Sequence, residues 1–189
     1  MIAITGFNSR ITQELLKLLP ANEKAERVEA TAPIHTEADR YLFCHGTIKQ
    51  KATQWQDHAE IAESLFINAG VTIRACDRIL AENGDARICI IGSESGFRWS
   101  FDGSYAAAKA AVHRYVETKR MMTPHQQLVC IAPGIIGDCS MTTTRLDIEN
   151  LSERERLHPK RRFLNAEEVA RWVHFLLYVD TGYFTNQVV

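Results

Sequence analysis

The chain has 189 residues, of which 46% are hydrophobic and 24% are charged. These values are typical of a folded domain of ordinary size and exclude global disorder. With 22 basic and 23 acidic residues, the net charge of −1 argues against binding to nucleic acid or anionic membranes by bulk charge. We therefore expect a single domain over residues 1–189, with neither nucleic acid nor membrane as a partner.

Strand-like and helix-like segments alternate along the first part of the chain. Ile2–Thr5 predicts a first strand, Ile11–Leu19 a helix, Arg27–Ala30 a second strand and Tyr41–Cys44 a third. Only a short turn, Pro33–Arg40, fits between the second and third strands. A long helix follows, and its predicted buried face is Ile61, Leu65, Ala69, Ile73, Cys76 and Leu80.

The second part of the chain continues the alternation. Arg87–Ile91 and Leu128–Ile131 predict strands on either side of a helix over Ser104–Lys119, which starts at a candidate capping serine. Glu167–Tyr178 predicts a last helix and Gln187–Val189 a last strand. This order predicts an α/β fold with a doubly wound, Rossmann-like parallel sheet, in which ligands bind beyond the carboxyl ends of the strands. The polar segment 139–162 predicts a mobile insertion on the substrate side.

Cysteine and histidine positions give no sign of a disulfide framework or a metal site. The five cysteines are odd in number and contain no Cys-x-x-Cys pair, and Cys44, Cys89 and Cys130 lie in apolar runs. This pattern predicts free thiols in a reducing cytoplasm. The seven histidines lack metal-ligand spacing, so we expect them to be solvated or structural, with no metal bound. The apolar N-terminus predicts a strand and not a signal peptide.

Tyr105 and Lys109 form a Tyr-x-x-x-Lys pair on the predicted helix. Four residues make about one helical turn, so both side chains lie on one face. A lysine cation near a phenol favours the phenolate, which a tyrosine needs in order to exchange protons near neutral pH. Alone, the pair also fits a solvated helix turn. The residues around it must therefore decide between the two interpretations.

The segment before this helix supplies a serine at the right place. Ser93 follows the buried strand Arg87–Ile91 and lies at the carboxyl edge of the predicted sheet. The pattern Ser93, Tyr105, Lys109 resembles the short-chain dehydrogenase/reductase family. Further matches, covering nearly the whole chain, are Thr5-Gly6, Cys44-His45-Gly46 in place of Asn-Ala-Gly, Asn68, Pro133-Gly134, and the closing segments 163–170 and 183–189.

The resemblance implies hydride transfer between a nicotinamide and a carbonyl or alcohol. Tyr105 would be the general acid/base, Lys109 would hold the nicotinamide ribose, Ser93 would polarise the substrate oxygen, and Asn68 would bind a water that links Lys109 to solvent. Ser95 is a rival for the serine role. The implied cofactor contacts are Thr5, Gly6, Asn8, Ser9, Arg10, Ile11, His45, Gly46, Tyr105, Lys109, Pro133 and Gly134.

The nucleotide-binding half departs from the family pattern. Arg10 and Thr12 occupy two of the three glycine positions of the phosphate loop, so that Arg10 either contacts a phosphate or blocks the site. Only 37 residues separate Gly6 from Cys44, which implies a reduced half with a strand and helix lost or shortened. The acid that usually holds the adenosine ribose has no clean counterpart, because Glu29 is only near its place. NAD and NADP both stay open, with a lean to NADP.

The substrate side and the assembly follow from the same resemblance. Phe97, Trp99, Phe101, Ile135 and Met141 are expected on the substrate side, with the aromatic trio as a pocket wall. The helices around 61–80 and 104–119 would form the interface of a homodimer or homotetramer.

Two hypotheses on function follow from the sequence. The first is a cytoplasmic NAD(P)-dependent oxidoreductase acting on a small or medium carbonyl compound. The second is a weak or inactive relative that senses a dinucleotide or binds a partner.

Overall fold

A computed structural model describes residues 1–98, 100–145 and 147–189. Within them, six strands form one parallel sheet in the order β2-β1-β3-β4-β5-β6. The strands are β1 (Ile2–Thr5), β2 (Ala25–Val28), β3 (Arg40–Phe43), β4 (Arg87–Ile91), β5 (Gln127–Ile131) and β6 (Gln187–Val188). The helices are α1 (Arg10–Leu18), α2 (His58–Leu65), α3 (Val71–Glu82), α4 (Gly103–Thr118), α5 (Ser140–Thr143), α6 (Ile148–Leu157) and α7 (Ala166–His174).

Helices cover both faces of the sheet. On one face, α3 and α4 pack their apolar side chains on alternate residues of the strands, such as Tyr41, Ile88 and Leu128. On the other face, α1 and α7 cover the intervening residues, such as Leu42 and Val129. Because both faces are buried, the central strands are almost wholly apolar. The predicted doubly wound α/β fold is confirmed.

The region between β2 and β3 is short, as the sequence predicts. Residues 29–39 contain turns but no helix, and β2 is the edge strand next to β1. The predicted second strand, Arg27–Ala30, is two residues too late, because the chain turns after Val28. The remaining strand predictions differ from the structure by at most one residue at an end.

The long helix contains an extra residue that its apolar spacing does not reveal. A π turn, Phe66–Gly70, separates α2 from α3 and rotates the helix face. Consequently Leu65, predicted to be buried, is 40% exposed, whereas Ser64 and Asn68 are buried. The predicted face is thus wrong at Leu65 and correct at Ala69, Cys76 and Leu80.

Two further predictions need correction. The cap of α4 is not Ser104 but Asp102, whose carboxylate accepts from the Tyr105 amide at 3.0 Å. The last helix ends at His174 and continues as a second π turn, Phe175–Val179. The segment 139–162, expected to be a mobile insertion on the substrate side, contains α5 and α6, and its mobility stays a prediction.

No helix in the described part of the chain has both the length and the apolar character needed to cross a membrane. Nor do the described His, Cys, Asp and Glu side chains come together in groups of three that would hold a metal ion.

Candidate active site

A cavity of about 370 Å³ opens beyond the carboxyl ends of β1, β3, β4 and β5. Most of the predicted site residues line it: Gly6, Ser9, Arg10, Ile11, His45, Gly46, Ser93, Tyr105, Lys109, Pro133 and Gly134. Three predicted residues do not. Thr5 is buried behind the cavity, Asn8 is exposed on the surface, and Asn68 lies in the π turn.

Helix α4 places Tyr105 and Lys109 on the cavity side. Its first turn is fixed by Asp102, which is 1% exposed and accepts hydrogen bonds from the Tyr105 amide, Ser104 Oγ and Gln56 Nε2. Burial alone would raise the pKa of Asp102, but these hydrogen bonds hold it below its ordinary value. The cap is therefore a carboxylate that holds the start of α4, and Tyr105 with it, in place.

Lys109 is a buried cation that keeps donors free for a ligand. Its side chain is almost fully buried, and Nζ donates to the carbonyl oxygen of Ile91 at 2.8 Å. Nζ also lies 5.6 Å from the centroid of the Tyr105 ring. An ammonium group has three donors, and a buried one is stable only when they find acceptors. The arrangement therefore suits hydroxyl groups of a ligand in the cavity.

Ser93 directs a hydroxyl into the same cavity from the end of β4. Its Oγ accepts the Ser95 amide at 3.2 Å, which holds the side chain and leaves the hydroxyl hydrogen free to be donated. Ser95 lies at the junction with a second cavity.

His113 is a buried structural residue beside the candidate site, in agreement with the expectation of a solvated or structural histidine. Its ring is 3% exposed, stacks on Phe97 at 4.4 Å and accepts weakly from the Ser93 amide, with 3.5 Å between Nε2 and N. The ring fits because two glycines flank Ser93: a Cβ at Gly92 or Gly96 would lie 2.6 or 2.4 Å from it. Burial and then the Lys109 charge lower its pKa, so the imidazole is neutral. In the sequence, the four-residue spacing from Tyr105 through Lys109 to His113 indicates that the three residues lie on one face of α4.

The altered phosphate loop adopts an unstrained conformation. Gly6 has a φ of +69°, and a Cβ there would lie 2.5 Å from the Cys44 carbonyl group, so this glycine is required. The two residues that replace glycines lie inside α1, so neither carries the left-handed strain. Thr12 is fully buried and donates through Oγ1 to the Gly6 carbonyl at 3.1 Å, while Ser9 caps the helix by accepting the Thr12 amide.

Arg10 lies at the cavity and is already paired with acids. One guanidinium nitrogen lies 2.8 Å from Glu14, and Nε lies 3.6 Å from Asp138. The side chain is still 52% exposed, so it can turn toward a ligand only by exchanging these partners.

His45 joins the ends of β1 and β3 to the π turn. Its Nε2 donates to the Ile67 carbonyl at 3.1 Å, so that Nδ1 accepts the Thr5 hydroxyl at 2.7 Å. Burial, with the charge of Lys109 as a second cause, lowers the pKa of His45 to about 4. This neutral histidine stands where the resemblance leads one to expect an alanine.

The Asn68 side chain is held by the backbone of two neighbouring segments. Its amide group forms a two-way pair with the backbone of Thr47, both at 2.9 Å, and also donates to the Ser64 carbonyl at 2.9 Å. These bonds fix the backbone beside Gly46, and the expected water link from Asn68 to Lys109 stays a prediction.

The substrate side is only partly as expected. Ile135 and Met141 line the cavity, and the Met141 methyl group lies 3.3 Å from the position that a Gly46 Cβ would take. Phe101 lines the second cavity, whereas Phe97 packs on His113. Trp99 lies outside the described residues.

The structure is similar to known oxidoreductase structures along its whole length. Levodione reductase superposes with a TM-score of 0.83 at 20% identity, covering 100% of this chain and 94% of that one. A glucose/ribitol dehydrogenase from Brucella melitensis gives a TM-score of 0.83 at 18% identity, covering 99% and 92%. A variant of actinorhodin polyketide ketoreductase with NADPH gives 0.80 at 17% identity, covering 100% and 94%.

The chain therefore has the short-chain dehydrogenase/reductase fold. No protein-family model matches its sequence, and no curated protein matches it either. The identities are low, so the likeness establishes the fold, and the reaction must be argued from the site.

The fold implies a nicotinamide dinucleotide, and the site fits one at two places. The unpaired donors of Lys109 beside Tyr105 suit ribose hydroxyls. The start of α1, with Gly6 packed against the end of β3, offers backbone amides and a positive helix end to a phosphate. At the end of β2, Glu29 forms an exposed ion pair with Arg27 at 2.8 Å.

Proposed function

We propose that the chain is an NAD(P)-dependent oxidoreductase of the short-chain dehydrogenase/reductase family that acts on a small or medium carbonyl compound or the matching alcohol. The observation that carries the proposal is the convergence of Ser93, Tyr105 and Lys109 in one cavity beyond the carboxyl edge of the sheet. The dehydrogenases and reductases among the similar structures support it at the level of the fold.

The bound nicotinamide would supply or accept the hydride. Tyr105 would move the proton at the substrate oxygen through its phenolic Oη, since it is the acid/base group that lines the cavity beside a cation. Lys109, tethered to the Ile91 carbonyl, would hold the ribose and favour the phenolate. Ser93 would donate its hydroxyl to the substrate oxygen and hold the carbonyl for attack. Ser93 is preferred to Ser95 because the latter lies at the border with the second cavity.

NADP(H) is the proposed form of the cofactor. Arg27, 2.8 Å from Glu29 at the end of β2, places a cation beside the expected ribose position, which favours a 2′-phosphate. The Arg10 guanidinium could then exchange Asp138, at 3.6 Å, for a phosphate oxygen.

The test replaces Tyr105 with Phe, which removes one hydroxyl and keeps the ring. We expect turnover of aliphatic and aromatic carbonyl compounds with NADPH to fall by about 10²–10⁴-fold, while NADPH affinity is unchanged. Tyr115→Phe, on the same helix but bonded to Asp77 and outside the cavity, is the matched control and should keep full turnover. A Tyr105→Phe protein as active as wild type would refute the assignment.

A second candidate function is a module that binds a dinucleotide or a partner without turnover. It is favoured by one feature, the commitment of Arg10 to Glu14 and Asp138. Saturable NADPH binding without turnover of any of the aliphatic and aromatic carbonyl compounds would favour this candidate.

We also propose that the single domain forms a homodimer or homotetramer in the cytoplasm. Leu65 and Phe66, which are 40% and 56% exposed, leave an apolar surface on the α2 side of the expected interface. All five cysteines are free, which suits a reducing compartment. Light scattering at micromolar concentration should give at least twice the monomer mass, and a monomer would contradict the assembly.

A further inference from the structure

A second cavity, of about 330 Å³, adjoins the candidate active site. The two share Ile48, Glu94, Ser95, Ile135 and Arg145 in their walls, so a molecule bound near Tyr105 can extend from one into the other. On its far side the second cavity is lined by α6, which contributes Asn150 and Arg154 from successive helical turns.

The acids of this second cavity are already paired. Asp102 is the buried cap of α4 and accepts four hydrogen bonds, including one from the Lys49 amide at 2.8 Å. Asp147 is held by the Arg145 guanidinium, which together with Asn150 lowers its pKa to about 2.

The last acid, Glu94, lies 3.7 Å from Arg98. Of the three arginines in the wall, Arg98 and Arg145 thus have acidic partners. Arg154 takes part in no ion pair among the described residues. Between Arg154 and the active site, the wall is partly apolar, with Ile48, Phe101 and Ile135.

We propose that Arg154 binds the carboxylate of an oxo-acid substrate whose carbonyl group lies at Ser93 and Tyr105. This assignment rests on the proposed function and names its substrate class. A guanidinium group binds a carboxylate through two parallel hydrogen bonds, and Arg154 offers its group to the cavity from α6. The apolar stretch of the wall would contact the carbon chain between the two groups.

The experiment compares acids with their neutral esters. Reduction of levulinate, 5-oxohexanoate and 7-oxooctanoate by NADPH is measured beside that of their methyl esters, in wild type, Arg154→Gln, Arg154→Lys and Arg156→Gln. Arg156 is the matched control, because it lies on the same helix, 72% exposed and outside the cavity. We expect at least one acid to be favoured over its ester, and Arg154→Gln to lower its kcat/KM by about tenfold to a hundredfold with little effect on the ester. Arg154→Lys should restore part of the loss, and Arg156→Gln should behave as wild type.

Binding is measured separately by calorimetric titration of levulinate in the presence of NADP⁺. A tenfold or greater loss of affinity in Arg154→Gln supports the assignment even when no carbonyl compound is reduced, in which case only the proposed reaction fails. If the esters are reduced as well as the acids, and Arg154→Gln changes neither kcat/KM nor levulinate affinity, the assignment is wrong while the proposed function stands.

Discussion

The region around β4, β5 and α4 has all the residues that the family pattern expects there, whereas the region around β1, β2 and β3 departs from that pattern. In the first, Ser93, Tyr105 and Lys109 meet in one cavity at the spacing that the sequence displays. In the second, the crossing from β2 to β3 has no helix, and the glycine positions of the loop are filled by Arg10 and Thr12.

The difference has a physical basis. The first region presents side chains from one helix face and one strand end, and a few residues fix that geometry. The second would bind a ligand through backbone amides and open space, which depend on glycine. Here side chains hold the backbone of this region: Thr12 bonds to Gly6, and His45 joins two strands to the π turn.

Gly6→Ala, in the second region, should have the largest effect on stability and on cofactor binding. The new Cβ would lie 2.5 Å from the Cys44 carbonyl group, at a φ of +69°. We expect the free energy of unfolding to fall by at least about 3 kcal/mol in urea titrations, with loss of NADPH binding. Gly182→Ala is the control, because its φ is +86° but nothing lies within 4 Å; it should lose only about 1 kcal/mol. Equal losses in the two variants would contradict the close approach at Gly6.

Lys109→Met tests whether Lys109 acts in catalysis or only packs as part of the α4 helix. It removes the buried charge beside Tyr105 while a side chain of similar length remains. Turnover should fall by at least about 100-fold, NADPH affinity should fall with it, and the remaining pH–rate profile should move to higher pH. Lys119→Met, which removes a contact with Asp77 at the end of the same helix, should leave all three unchanged. A Lys109→Met protein with wild-type kinetics would remove this residue from the mechanism.

His45 gives a smaller, pH-dependent difference. Because burial lowers its pKa to about 4, the folded protein resists protonation that the unfolded chain accepts near pH 6.5. Its contribution to stability is therefore complete above pH 6.5 and is lost as the pH falls toward 4. Between pH 7 and pH 5, wild type should lose about 1–2 kcal/mol more unfolding free energy than His45→Asn. Parallel losses in urea titrations at the two pH values would contradict a buried neutral imidazole.

The sequence predicts those parts of the molecule whose pattern is local. Apolar runs locate the strands, and the four-residue spacing of Tyr105 and Lys109 survives because α4 is regular. The π turn could not be predicted from the sequence. It contains one residue more per turn than an α-helix, which rotates the buried face, but its residue types are those of an ordinary helix. The Asp102 cap was missed because Ser104 is an equally good capping type, and only the contacts decide between them. The burial of His113 could not be predicted from the sequence, because it depends on the space that Gly92 and Gly96 leave for its ring.

The central claim is that the altered nucleotide-binding region still places a dinucleotide beside an intact catalytic face. The most direct test is a calorimetric titration of the wild-type protein with NADPH and with NADH. It is made at two temperatures, because the binding heat can be near zero at one of them. We predict saturable binding of NADPH, weaker binding of NADH, and a loss of affinity in Lys109→Met that Lys119→Met does not share. The absence of binding heat for both dinucleotides at millimolar concentration would contradict the claim.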